Sequence, residues 1–155
     1  MNQAIWKRVV LAGAVVAVIA GAVVWSCLQK PYSDKLTVGE GGISLQTSTR
    51  ARTDWHMEVR LDGSSRLLLE HESGHQQPTG FLDMGAGKSV FTRTFQAMES
   101  GDCTLYVTAC EGETVREVKA YRLKIDEKKQ VTVERMEKGL HLLDESSVAC
   151  GEPLC

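Results

Sequence analysis

Little in this chain of 155 residues is out of balance. Eighteen Lys and Arg stand against 20 Asp and Glu, a formal charge of −2, and the sequence pI is near 6.1. That balance excludes a strongly basic nucleic-acid binder and a disordered acidic or basic tail. Three Pro and 14 Gly are too few for a collagen-like repeat, and five Cys are too few for a disulfide miniprotein. No internal repeat or low-complexity segment is present. Catalytic signatures are also missing: there is no Gly-x-Ser-x-Gly elbow, no P-loop and no Gly-x-Gly-x-x-Gly fingerprint. What remains is 43% hydrophobic and 25% charged, an ordinary globular composition with length for one domain and an appendage.

The apolar residues are unevenly spread. Val9–Trp25 is an unbroken uncharged run, preceded by Lys7 and Arg8 and bracketed by Trp6 and Trp25. With Ser26, Cys27 and Leu28 it gives about 20 residues without a charge, enough for roughly 30 Å of hydrocarbon at 1.5 Å per residue. Residues 1–28 are therefore expected to form a transmembrane helix or signal segment, with the N-terminus cytoplasmic by the positive-inside rule. Three readings stand: a retained anchor, which the length of the run favours; a lipoprotein signal ending at Cys27; and a cleaved secretory peptide. All three export the remainder, which carries 16 Lys and Arg against 20 acids, a mild −4 that selects no partner class.

Four Cys lie beyond the anchor: Cys103, Cys110, Cys150 and Cys155. An even number suits an oxidising compartment. Cys103 and Cys110 are seven apart, so on one strand they face opposite sides and cannot bridge each other. Either is equally readable as a small buried apolar residue. Cys150 and Cys155 enclose a short loop with Gly151 and Pro153 and can pair locally. No Cys-x-x-Cys or Cys/His spacing suggests a zinc site, and no metal or cofactor is expected.

After a linker at 29–35, residues 36–136 read as an all-β domain. Short alternating runs are separated by turns at intervals of about 8–15 residues, the pattern of a sandwich or barrel. Trp55, Met57, Val59 and Leu61 share one face, and His56, Glu58, Arg60 and Asp62 the other. Further runs follow at Arg66–His71, Phe91–Ala97, Cys103–Cys110, Tyr121–Ile125 and Val131–Val133. The count is about seven strands, the size of an immunoglobulin-like sandwich. The tail, 137–155, carries Leu140, Leu142 and Leu143, and two readings stand: these residues cover a sheet edge, or the segment is mobile.

One motif points to an enzyme. His71-Glu72-Ser73-Gly74-His75 matches His-Glu-x-x-His, in which two His one helical turn apart hold zinc. That chemistry needs a helix. Here a strand leads in, Gly74 interrupts, and Gln76-Gln77-Pro78-Thr79-Gly80 follows, so a solvated loop is expected and no enzyme is assigned. Gly85-Ala86-Gly87-Lys88 precedes a strand rather than a helix, so it lacks the dipole of a phosphate loop.

The order of landmarks resembles the chagasin-type inhibitors of papain-like cysteine proteases. Val38-Gly39-Glu40, Ile43-Ser44-Leu45, a polar loop and Trp55 are similar to that family's first block. Gly85-Ala86-Gly87-Lys88 with Phe91, Ala97, Gly101 and Leu105 resembles its second, and Tyr121–Ile125 its closing strand. The resemblance covers residues 36–125. It implies an immunoglobulin-like sandwich in which three loops at one end fill a protease cleft. Those loops would be Ser48-Thr49-Arg50-Ala51-Arg52, Gly85–Lys88 and Glu111-Gly112-Glu113. The family has Asn-Pro-Thr-Thr-Gly in the first, a final Gly where Lys88 stands, and Arg-Pro-Trp in the third. Two acids and a Gly thus replace a cation and an aromatic anchor, a loss worth several kcal/mol at an interface. The resulting expectation is a membrane-anchored extracytoplasmic domain that inhibits a papain-like protease. The alternative is a non-inhibitory immunoglobulin-like envelope module.

Overall fold

Strand period explains most of the architecture of the computed structural model, which describes residues 30–63, 65–78 and 87–146. Eight strands form: β1 (Tyr32–Gly39), β2 (Gly42–Arg50), β3 (Trp55–Asp62), β4 (Leu67–Gln77), β5 (Lys88–Ala97), β6 (Gly101–Glu111), β7 (Thr114–Ile125) and β8 (Val131–Lys138). They build two antiparallel four-stranded sheets, ordered β1-β2-β5-β4 and β3-β6-β7-β8. The all-β expectation holds, with eight strands where about seven were expected.

The sheets share one core. Ile43, Leu45, Leu67, Phe95 and Ala97 come from the first sheet, and Val59, Cys103, Leu105, Val107, Leu123, Ile125 and Val131 from the second. The alternation expected along β3 is present: Val59 is buried, and Met57 and Leu61 pack against the core. On β6 both faces are buried. Its inner residues enter the core, while Tyr106, with Val118 and Ala120 of β7, forms a second cluster beneath Leu142.

That cluster corrects the reading of the tail. Glu137 and Lys138 belong to β8, Leu140–Leu142 makes a 3-10 turn, and Leu143–Ser146 adds one helical turn. Leu142 is buried and Leu140 is 54% exposed. The segment covers the outer face of the second sheet rather than an edge, because Tyr106, Val118 and Ala120 give that face an apolar spot.

The linker reading is corrected as well. Residues 32–35 pair with residues 46–49 as the start of β1. Their polar sequence hid a charged contact between the sheets. The Asp34 carboxylate, 1% exposed, takes an ion pair from Lys119 and a hydrogen bond from the Tyr121 hydroxyl. Tyr32 donates to Glu117 at 3.0 Å, and Lys138 approaches the same carboxylate at 2.8 Å. Burial, then the Glu117 hydrogen bond, pushes the Tyr32 hydroxyl up to about 12, and burial with Asp34 pushes Tyr121 upward too. The strands thus run from Tyr32 to Lys138, wider than the expected 36–136.

No described helix is long and apolar enough to cross a membrane, and the expected transmembrane segment at 1–28 lies outside the described residues. Cys150 and Cys155 also lie outside them.

Candidate functional site: a three-loop end

Described residues of three connections meet at one end of the domain. The β2–β3 connection (Ala51–Asp54) crosses from the first sheet to the second. It is tied to its neighbours on both sides. The Ala51 N–H donates to the Gly87 carbonyl at 2.7 Å, and the Gly112 N–H donates to the Asp54 carbonyl at 2.9 Å. Gly87 closes the β4–β5 connection, and Gly112-Glu113 is the whole of the β6–β7 turn. Register agrees: Arg50 pairs with Lys88, and Trp55 with Glu111.

Local chemistry fixes the central connection. The Thr53 hydroxyl donates to the Arg50 carbonyl at 2.7 Å, and the Trp55 N–H reaches the same hydroxyl at 3.4 Å. Arg52 adopts φ 59°, a left-handed conformation rare outside Gly. It occupies the position where the resemblance calls for Gly. Trp55 is half-buried, its ring stacked on Tyr32 at 5.1 Å between centroids. These bonds order the described residues of the loop within the chain itself.

The expected loop residues divide. Ser48, Thr49 and Arg50 lie in β2, not in a loop, and Thr49 is buried. Their polar side chains suggested a loop, but Thr47 and Thr49 are buried residues of β2. Ala51 is buried beneath the turn. Arg52 is the one exposed member of the expected loop outside β2, and Thr53 and Asp54, beyond the expected bounds, are exposed with it. Gly85 and Ala86 lie outside the described residues. Gly87 is half-buried, and Lys88 is exposed at the start of β5. Glu111 ends β6 and is held by Arg116 at 2.7 Å, while Gly112 and Glu113 are exposed. The exposed charges Arg52, Asp54, Lys88 and Glu113 are mixed in sign.

His71 and His75 do not form a zinc pair. They lie on β4, a strand rather than the expected loop, and are four residues apart. At about 3.3 Å per residue that separates them by roughly 13 Å along the strand. Glu72 instead pairs with Arg93 at 2.8 Å.

A different trio comes together beside the loop end. His56, Glu58 and Cys110 place one donor atom each within 4.8 Å of one another. Nothing in the spacing of residues 56, 58 and 110 signals this. His56 and Glu58 share a face by strand alternation, but Cys110 joins them only through the β3–β6 pairing opposite His56. Cys110 is buried and disulfide-bonded, its partner outside the described residues. Cys103 is a free thiol in the core, pushed up to about 11 mainly by burial. The opposite-face expectation for the two Cys is met. The buried-apolar reading fits Cys103 alone.

Searches against family models, curated proteins and solved structures find no match for this chain.

Proposed function

We propose that the chain is an anchored, extracytoplasmic, immunoglobulin-like binding domain whose three-loop end engages a papain-like cysteine protease. One observation carries the reading: the β2–β3 connection is hydrogen-bonded to Gly87 at the close of the β4–β5 connection and to Gly112 of the β6–β7 turn, so these described residues form one ordered surface. Such a surface loses little conformational entropy on binding. The order β1-β2-β5-β4 facing β3-β6-β7 is that of the constant-type immunoglobulin sandwich, with β8 added beyond β7. The left-handed φ of Arg52, at a position where the inhibitor family has Gly, adds support. The anchor rests on residues 9–28 of the sequence alone.

A second reading, a non-inhibitory envelope module using the same end, is favoured by the β6–β7 turn. Only Gly112 and Glu113 separate the strands there, and Glu111 is spent on Arg116. A turn that short offers no projecting wedge.

Binding of the full chain, in detergent, to papain tests the two readings. The protease is used with a free cleft and with the cleft filled by a covalent peptidyl inhibitor. The inhibitor reading expects binding to the first and none to the second. Absence of binding to either sample removes the protease as partner and leaves the second reading.

A further inference from the structure

The outer face of β3 and β6, next to the loop end, carries a donor set that the loop reading does not use. His56 Nδ1 lies 3.4 Å from the Asp54 carbonyl, an arrangement in which Nδ1 carries the proton. Nε2 then faces the Glu58 carboxylate at 3.3 Å. The Cys110 sulfur converges on the same point. A second observation is independent of these three residues. The Thr108 hydroxyl, on the same face and directly opposite Glu58, is fully buried and has no hydrogen-bond partner among the described residues. Orphaned buried hydroxyls are uncommon, and this one adjoins the trio.

We propose that His56, Glu58 and Cys110 form a zinc-class divalent cation site that becomes available when the Cys110 disulfide is reduced. One imidazole, one carboxylate and one thiolate suit a borderline-soft ion, and two negative ligands neutralise its charge. The bond from Nδ1 to a backbone carbonyl is the usual outer support of a metal-binding His. Disulfide and metal exclude each other, because the ion requires the thiolate that the disulfide consumes. Opening takes two electrons and two protons from a reductant of the thiol class, which leaves as its own disulfide. The Cys110 thiol then gives its proton to solvent as the ion binds.

Cobalt(II) titration of the full chain tests this, with a phosphine reductant that leaves no competing thiol. Reduced protein is expected to take one equivalent and show a sulfur-to-cobalt charge-transfer band that zinc(II) abolishes. Untreated protein is expected to show none. Cys110→Ser and His56→Ala remove the band, Cys103→Ala keeps it, and Thr108→Val weakens binding by roughly 10-fold. If reduction unfolds the domain by circular dichroism, the triple variant Cys27→Ser, Cys150→Ser, Cys155→Ser supplies a Cys110 thiol without reductant and is expected to bind. No band in folded protein with a free Cys110 overturns the proposal, as does a band that survives Cys110→Ser.

Discussion

Tyr32 joins the two sheets at both ends of its side chain: its ring stacks on Trp55 at 5.1 Å and its hydroxyl donates to Glu117 at 3.0 Å. Tyr32→Phe keeps the stack and removes a donor to a charged acceptor. The expected loss is about 1.5–3 kcal/mol by chemical denaturation. The variant also tests a pH dependence. The folded hydroxyl is raised from 10.0 to about 12, so its contribution is present below the unfolded value and lost as pH rises through the folded one. Wild type is expected to lose stability between pH 10 and 12, and Tyr32→Phe to lose less of it over that window.

Gly42 lies against the neighbouring backbone. A Cβ there would stand 2.2 Å from the Phe95 carbonyl oxygen, which cannot swing aside as a side chain can. Gly42→Ala should force β2 from β5 and cost about 1–3 kcal/mol. Gly39→Ala is the control. Its Cβ meets nothing nearer than 4.0 Å, so the change should stay within about 0.5 kcal/mol. Thermal unfolding of the pair compares them.

Arg52 holds a left-handed backbone at the centre of the loop end. That conformation costs a side-chain-bearing residue about 1–2 kcal/mol, partly offset by the greater unfolded-state freedom of Gly. Arg52→Gly is expected to raise stability by about 0.5–1 kcal/mol. If Arg52 also contacts the partner, the same variant binds more weakly while unfolding at a higher temperature.

Leu142 caps the outer face of the second sheet above Tyr106, Val118 and Ala120. Leu142→Ala should cost about 2–3 kcal/mol, the lower part of the range for a buried Leu. Hydrogen exchange should then speed in residues 139–146 before it speeds in β6. Leu140→Ala, at an exposed position, should change neither.

How much was readable in advance followed from which contacts are local. The β3 alternation was plain because each side chain from Trp55 to Asp62 has one wet and one dry alternative. β1 began unseen because Asp34 is buried by partners 85 and 87 residues away, Lys119 and Tyr121. The start of β4 reads as a strand at Arg66–His71, but its second half, Glu72–Gln77, hides for the opposite reason: it lies on a sheet edge and is exposed throughout, so its sequence needs no apolar face and reads as a loop. Ser48, Thr49 and Arg50 read as loop because they are polar, yet they lie in β2 and Thr49 is buried. The His56–Glu58–Cys110 trio depends on a pairing across more than 50 residues, which no motif encodes.

The most direct test of the central reading is a steady-state inhibition titration of papain with the full chain in detergent. The three-loop surface predicts inhibition with a sub-micromolar endpoint, strengthened when Gly112-Glu113 is replaced by an Arg-Pro-Trp turn. Undiminished protease activity at high micromolar concentrations of folded protein, unchanged by that replacement, would contradict it.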